Sequence, residues 1–199
     1  MKLYYIGILD NTKQPAVQLC AEHELSEFSR WTRNEYASFM TMFSKTIAER
    51  TKPGQRNSVE EQDYTFHCYA RSEGLAAVII SKNYPQLTAH SILSKVLDEF
   101  LTDDRRTPDQ KRNPKDNDAT FAALKEYLQR YQDPAQASSI TAIQQQLDET
   151  KIILHKTIDS VLQRGEKIDD LVAKSSDLST QSKAFYQTAK KQNSCCSLM

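Results

Sequence analysis

The stretch LAAVIIS at residues 75–81 decides the fold. It is a run of apolar and small residues entered through the turn signal Ser72-Glu73-Gly74. Strands with one wet face alternate in polarity, so an uninterrupted run of this length marks a central strand covered on both sides. The sheet it centres must then lie between helices. Just upstream, residues 64–71 do alternate, with Tyr64, Phe66, Cys68 and Ala70 on one face and Thr65, His67, Tyr69 and Arg71 on the other. That pattern predicts a neighbouring strand, and residues 56–61 a further short one.

Farther out, residues 2–10 and 16–23 read as a hairpin, with Asn11 and Pro15 supplying the turn chemistry. Phe28, Trp31, Tyr36, Phe39, Met40, Phe43 and Ile47 are helically spaced. They predict an amphipathic helix over 26–49, capped by Ser26 and ended by Pro53-Gly54. A second helix is expected over 87–101 and a third over 121–131, ending before Pro134. Between them TDDRRTPDQKRNPKDND reads as a solvated loop. The order ββαβββαα describes an α+β domain of about 130 residues, an ordinary domain size.

Composition sets outer limits. The chain has 199 residues, 39% hydrophobic and 26% charged, with mean hydropathy -0.65, enough for one modest core plus an extended region. Basic and acidic residues balance at 26 each, which argues against nucleic acid as the main partner. No apolar window is long enough for a transmembrane helix. The opening MKLYYIGILDN lacks a signal-peptide pattern, so a cytosolic chain is expected, with any membrane attachment lipidic or peripheral. In that compartment Cys20, Cys68, Cys195 and Cys196 are expected to stay reduced. A zinc set from Cys20, His23, His67 and Cys68 is disfavoured, because residues one or three apart on a strand face opposite ways.

From Ile140 the apolar period changes to alternating steps of three and four. The seam runs Ile140, Ile143, Leu147, Thr150, Leu154, Thr157, Val161, Arg164, Ile168, Leu171, Ser175, Leu178, Ser182, Phe185, Ala189, Gln192. This is a coiled-coil strand that as one helix would approach 80 Å, too long to cover its own stripe. In a homodimer Arg164 would meet its own copy, and the hydroxyl-bearing layers would weaken the core. A heteromeric bundle, whose other helices offer acceptors to the guanidinium, fits better.

The run DETKIILHKTIDSVLQRGEKIDDLVAKSSDLSTQSKAFYQTAKKQNSCC resembles the SNARE motif of an R-SNARE. More narrowly, the chain is similar to the lipid-anchored R-SNAREs that carry an N-terminal longin domain and no transmembrane helix. EQDY at 61–64, YARSEG at 69–74, KVLDEF at 95–100 and RYQDP at 130–134 contribute to that likeness. The resemblance implies a longin (profilin-like) domain over 1–132, its five-stranded antiparallel sheet held between one helix and two. It further implies a linker at 133–139, a SNARE motif at 140–192 and a lipidation tail at 193–199. Arg164 would form the central polar layer against three glutamine-type SNARE helices. Ile140, Ile143, Leu147, Leu154, Val161, Ile168, Leu171, Leu178 and Phe185 would form other layers.

The tail Cys196-Ser-Leu-Met199 fits the C-a-a-X prenylation pattern, its terminal Met favouring farnesyl added by a prenyltransferase. One lipid binds only marginally, so Cys195 is expected to carry a second, palmitoyl or prenyl. These covalent lipids are the only prosthetic groups expected. When the protein is soluble, farnesyl and seam both need cover, and the resemblance implies an intramolecular longin–SNARE contact with a groove near Phe39, Met42 and Phe43. Ser175 and Ser182 are small layer residues on the plainer reading and a phosphorylation switch on the sharper one. A small GTPase is excluded by the glycines: Gly7, Gly54, Gly74 and Gly165 allow no phosphate loop. No catalytic constellation supports an enzyme, self-palmitoylation included. The expectation is vesicle fusion in secretory, Golgi and vacuolar transport, at the cytoplasmic face of Golgi, vesicle or endosomal membranes. Its rival is a prenylated coiled-coil tether or scaffold without fusion activity.

Overall fold

The structure, a computed structural model, describes residues 1–133, 135–136 and 151–195, with side chains through Lys191. Its centre is the apolar run, now strand β5 (Leu75–Lys82). β1 (Lys2–Asp10) and β4 (Tyr64–Ala70) flank it, β2 (Val17–His23) lies outside β1, and β3 (Arg56–Glu61) outside β4. All these pairs are antiparallel, with Ile79 opposite both Ile6 and His67. Alternate residues of β5 feed two cores. Leu75, Ala77 and Ile79 point to helices α2 (Gln86–Thr102) and α4 (Ala123–Arg130). Ala76, Val78 and Ile80 point to helix α1 (Arg33–Arg50). This is the expected one-helix, two-helix sandwich.

A sixth strand, absent from the sequence-based expectation, joins the sheet. β6 (Ile152–His155) comes from the heptad region and pairs parallel to β3, Ser58 opposite Leu154. Without it β3 would present a row of unpaired backbone groups.

Two other expectations are corrected. Helix α1 starts at Arg33, seven residues after Ser26, and Thr32 occupies its cap position. Ser26 hydrogen-bonds Glu24 instead, and Arg33 grips the carbonyls of Ser26 and Phe28, which turns the chain. The segment read as a solvated loop contains the short helix α3 (Pro108–Arg112), closed by a Thr107–Gln110 capping box. It also docks on β2, where the Asn117 N–H donates to the Gln18 carbonyl at 2.7 Å. The Arg106 side chain is buried on Asp104 at 3.0 Å, a pairing that composition alone could not foretell.

Beneath α2 lies a buried polar chain. The Ser58 hydroxyl is 2.9 Å from both His67 Nδ1 and His90 Nε2, and His67 Nε2 is 3.1 Å from the Ser81 hydroxyl. Burial pushes His67 down to about 4. It also lowers His90, helped by the nearby His67 and Arg56. The unfolded chain binds protons here below about pH 6.5 while the folded chain does not, so stability is full above that pH and falls as pH drops toward 4. From His67 alone a loss of about 2 kcal/mol is expected between pH 7.5 and 5. Denaturant titrations at the two pH values check it, and His67→Asn should flatten the difference.

Cys20 and Cys68 sit on β2 and β4, and burial pushes both thiols up to about 12. Neither is a ready nucleophile.

Candidate functional site

The functional surface is the face of α1 together with the chain that crosses it. After β6 comes a 3-10 turn (Ile158–Val161), a loop, then helices α5 (Ile168–Lys174) and α6 (Thr180–Cys195). The single helix expected over 140–192 is thus not the conformation of 151–195. A heptad stripe has no free-energy reason to remain helical without partner helices. In the lone chain the β3 edge and the apolar face of α1 provide the alternative burial.

The break is centred on Arg164. Residues 163–166 form a turn in which the Glu166 N–H donates to the Gln163 carbonyl at 2.9 Å, and Glu166 Oε2 accepts the Gln163 N–H at 2.9 Å. Gly165 has φ +91°, in the left-handed region that side chains avoid. Arg164 itself is exposed beside it.

Burial of the seam is partial and out of phase. Leu178 and Ser182 are buried, Val161, Ile168, Leu171 and Phe185 half-buried, and Leu154 is 53% exposed. Ile140, Ile143 and Leu147 lie outside the described residues, as does Cys196. The most deeply covered residues of this region are not in the seam. Ile158 is 0% exposed against the α1-side core, and Val172 1% exposed beside Met42 and Leu178. Each such side chain contributes about 1.5–3 kcal/mol of burial. A sequence signal for them existed: Ile152, Ile153, Ile158, Leu162 and Val172 are apolar residues that a heptad seam does not need.

Ion pairs fasten the wrap. Lys45 Nζ reaches Asp177 at 2.7 Å and Asp116 at 3.0 Å. Burial would lower that ammonium, but the two carboxylates outweigh it and raise its pKa. Arg50 Nη2 meets Glu166 Oε2 at 2.9 Å. Tyr186 donates to Asp169 at 3.0 Å, and Lys190 pairs with the same carboxylate. Water screens pairs at the surface and they contribute little, so apolar burial dominates.

Between α1, β3–β5 and α6 lies a cavity of about 580 Å³, lined by Phe39, Phe43, Tyr64, Phe66, Ile168 and Ala189 among others. Its size and aromatic walls suit an apolar ligand. Of the three groove residues expected, Phe39 and Phe43 line it. Met42 does not: it is buried under Val172 and Leu178, in a cluster that Phe39 and Phe43 border, and so makes the contact between the longin domain and the crossing chain. Among the described residues no helix is long and apolar enough to cross a membrane.

Comparison with known proteins places both parts of the chain in known families. The family model for Longin, the regulated-SNARE-like domain, matches residues 25–151, and the synaptobrevin model matches 139–197. The chain is 53% identical over 197 residues to the synaptobrevin homolog ykt6 of Schizosaccharomyces pombe, covering 98% of both chains. It is 50% identical over 200 residues to the synaptobrevin homolog YKT6 of Debaryomyces hansenii, covering both entirely. The counterpart from Saccharomyces cerevisiae is 46% identical over 209 residues, again with complete coverage of both.

Proposed function

The chain belongs to the family of longin-domain, synaptobrevin-type SNAREs and is an R-SNARE of vesicle fusion; we propose that the conformer described above is its closed state, unable to zipper. The observation that carries this is double use. Leu178 packs with Met42 of α1 and Ser182 is buried, so the same atoms cannot also fill bundle layers. Opening frees 140–192 to form one helix, with Arg164 facing the glutamines of three partner helices, and zippering from Ile140 toward Cys196 draws two membranes together.

Arg164 is already exposed, so its removal leaves the closed state alone. Arg164→Ala is expected to lower the melting temperature of the complex with glutamine-type SNARE helices while the unmixed protein keeps its own. A tether or scaffold would give no sharply melting complex with those helices, and that result would overturn the fusion mechanism.

The lipid reading follows from where α6 leads. Ala189 and Lys190 line the cavity, and α6 runs on to Cys195, the residue before Cys196 in sequence. A farnesyl on Cys196 can fold back between Phe39 and Phe43, and Cys195 holds the second lipid for attachment to Golgi, vesicle or endosomal membranes. The farnesylated protein is expected to have a smaller hydrodynamic radius than Cys196→Ser, and equal radii would refute the folded-back lipid. Ser182 is buried with its hydroxyl 3.0 Å from that of Ser179, so a doubly charged phosphate there would force the wrap open. Ser175, at the end of α5, would act less directly.

A further inference from the structure

Trp31 is the chain's sole tryptophan and is 87% exposed, more than any other large hydrophobic among the described residues. Helical spacing placed it on the apolar stripe of α1, yet it stands outside the helix on a braced turn. Beneath it Phe28 packs edge-on against Tyr4 at 5.6 Å and tilts against Tyr36 at 4.1 Å. Arg33 donates from Nε to the Phe28 carbonyl and from Nη2 to the Ser26 carbonyl, both at 3.1 Å. The Thr32 N–H closes on the Ser29 carbonyl at 3.0 Å. This indole is presented, not merely uncovered.

Among the described residues neither arginine beside it is paired with a carboxylate. Arg33 is bonded to neutral carbonyls, so its charge is not cancelled, and Arg30 beside the indole is exposed. Glu27 and Glu35 are equally near in sequence; Glu27 is held by Lys2 at 3.0 Å and accepts from the Tyr4 hydroxyl at 2.8 Å. Glu35 is buried.

Direction supplies the second argument. Helix α6 runs antiparallel to α1: Asp177 meets Lys45, Leu178 meets Met42, Tyr186 meets Phe39 and Phe185 meets Tyr36. From Tyr186 to Cys195 the helix rises about 14 Å more. It therefore carries exposed Lys190 and Lys191 and the backbone of Cys195 toward the end of the domain where α1 begins. Trp31 stands at that end.

We propose that Trp31, with Arg30 and Arg33, is a docking surface for an anionic lipid bilayer, used by the closed conformer to set its Cys195–Cys196 end against the membrane. An indole between arginines is the usual composition of a bilayer-interface anchor, its ring at headgroup level and the cations on acidic lipids. A lone tryptophan and a few charges hold weakly and reversibly, which suits a first encounter made before the wrap opens.

The test uses the full-length chain without lipid, so that neither prenylation nor a SNARE partner takes part. Because Trp31 is the only indole, its emission reports its own surroundings. With phosphatidylcholine vesicles containing phosphatidylserine, a blue shift and protection from iodide quenching are expected, much weaker with phosphatidylcholine alone. In co-sedimentation Trp31→Ala should bind roughly tenfold less and Arg30→Ala about fivefold less; both residues are exposed, so folding is undisturbed. Unchanged emission on anionic vesicles, or a Trp31→Ala chain that sediments like the native one, overturns the proposal. Either result leaves the fusion reading standing, since that reading is tested by the melting of the Arg164 complex.

Discussion

Ile158→Asp is expected to open the protein. The native side chain is wholly buried against the α1-side core with Val59, Phe66 and Ile80, and a carboxylate there loses the apolar burial and cannot be solvated. A cost of about 4 kcal/mol falls on the closed state. The bundle is almost spared, because residue 158 lies beside the Thr157 layer and not in it. The longin core keeps its own strands, since Ile158 belongs to the appended segment. Small-angle scattering should show a larger radius, proteolysis should become faster within 156–167, and complex formation with glutamine-type SNARE helices should accelerate at least tenfold. A compact Ile158→Asp chain with native assembly rate would mean that the wrap does not limit assembly.

Gly165→Ala acts on the same balance through the backbone. The closed turn needs φ +91° at this residue, which costs an alanine about 1 kcal/mol or more. The bundle needs helix there, where alanine is better than glycine by about 1 kcal/mol. The two effects add, and a shift of roughly 2 kcal/mol changes the open-to-closed ratio about thirtyfold. Gly54→Ala is the control: its φ is +79° with open space around it, but it lies in the longin domain and carries no preference for the bundle. Faster assembly in Gly165→Ala and an unchanged rate in Gly54→Ala is the expected result. Equal rates in both would locate the hinge elsewhere.

The sandwich could be read from residues 75–81 because burial on both faces leaves a direct imprint on polarity. The heptads were equally plain, but they record the assembled bundle, and one sequence here serves two conformers. What 151–195 does alone depends on a free strand edge and an unpaired helix face elsewhere in the chain, neither of which leaves a local period. Ile152, Ile153, Ile158, Leu162 and Val172 carried the trace, as hydrophobes surplus to the seam. Met42 lies under Val172 and Leu178 and not in the cavity wall, because which part of a helix face a crossing chain covers is set by that chain's path and not by a local period. At Trp31 the period held while the helix had not begun, since the Arg33 contacts that delay it join residues by backbone carbonyls that have no sequence signature.

The parallel pairing of β6 with β3 has a kinetic meaning. The wrap is fastened by unlike means at its two ends, a backbone ladder at Ile152–His155 and side chains around a cavity at α6. A partner helix that nucleates near Ile140 competes first with the ladder, residue by residue, and reaches the cavity last. A pull applied from the C-terminal end would peel the wrap in the opposite order. Between the two sits the Gly165 hinge, which lets either half detach while the other stays seated. The two fastenings are therefore separable, and release of one end does not by itself require release of the other.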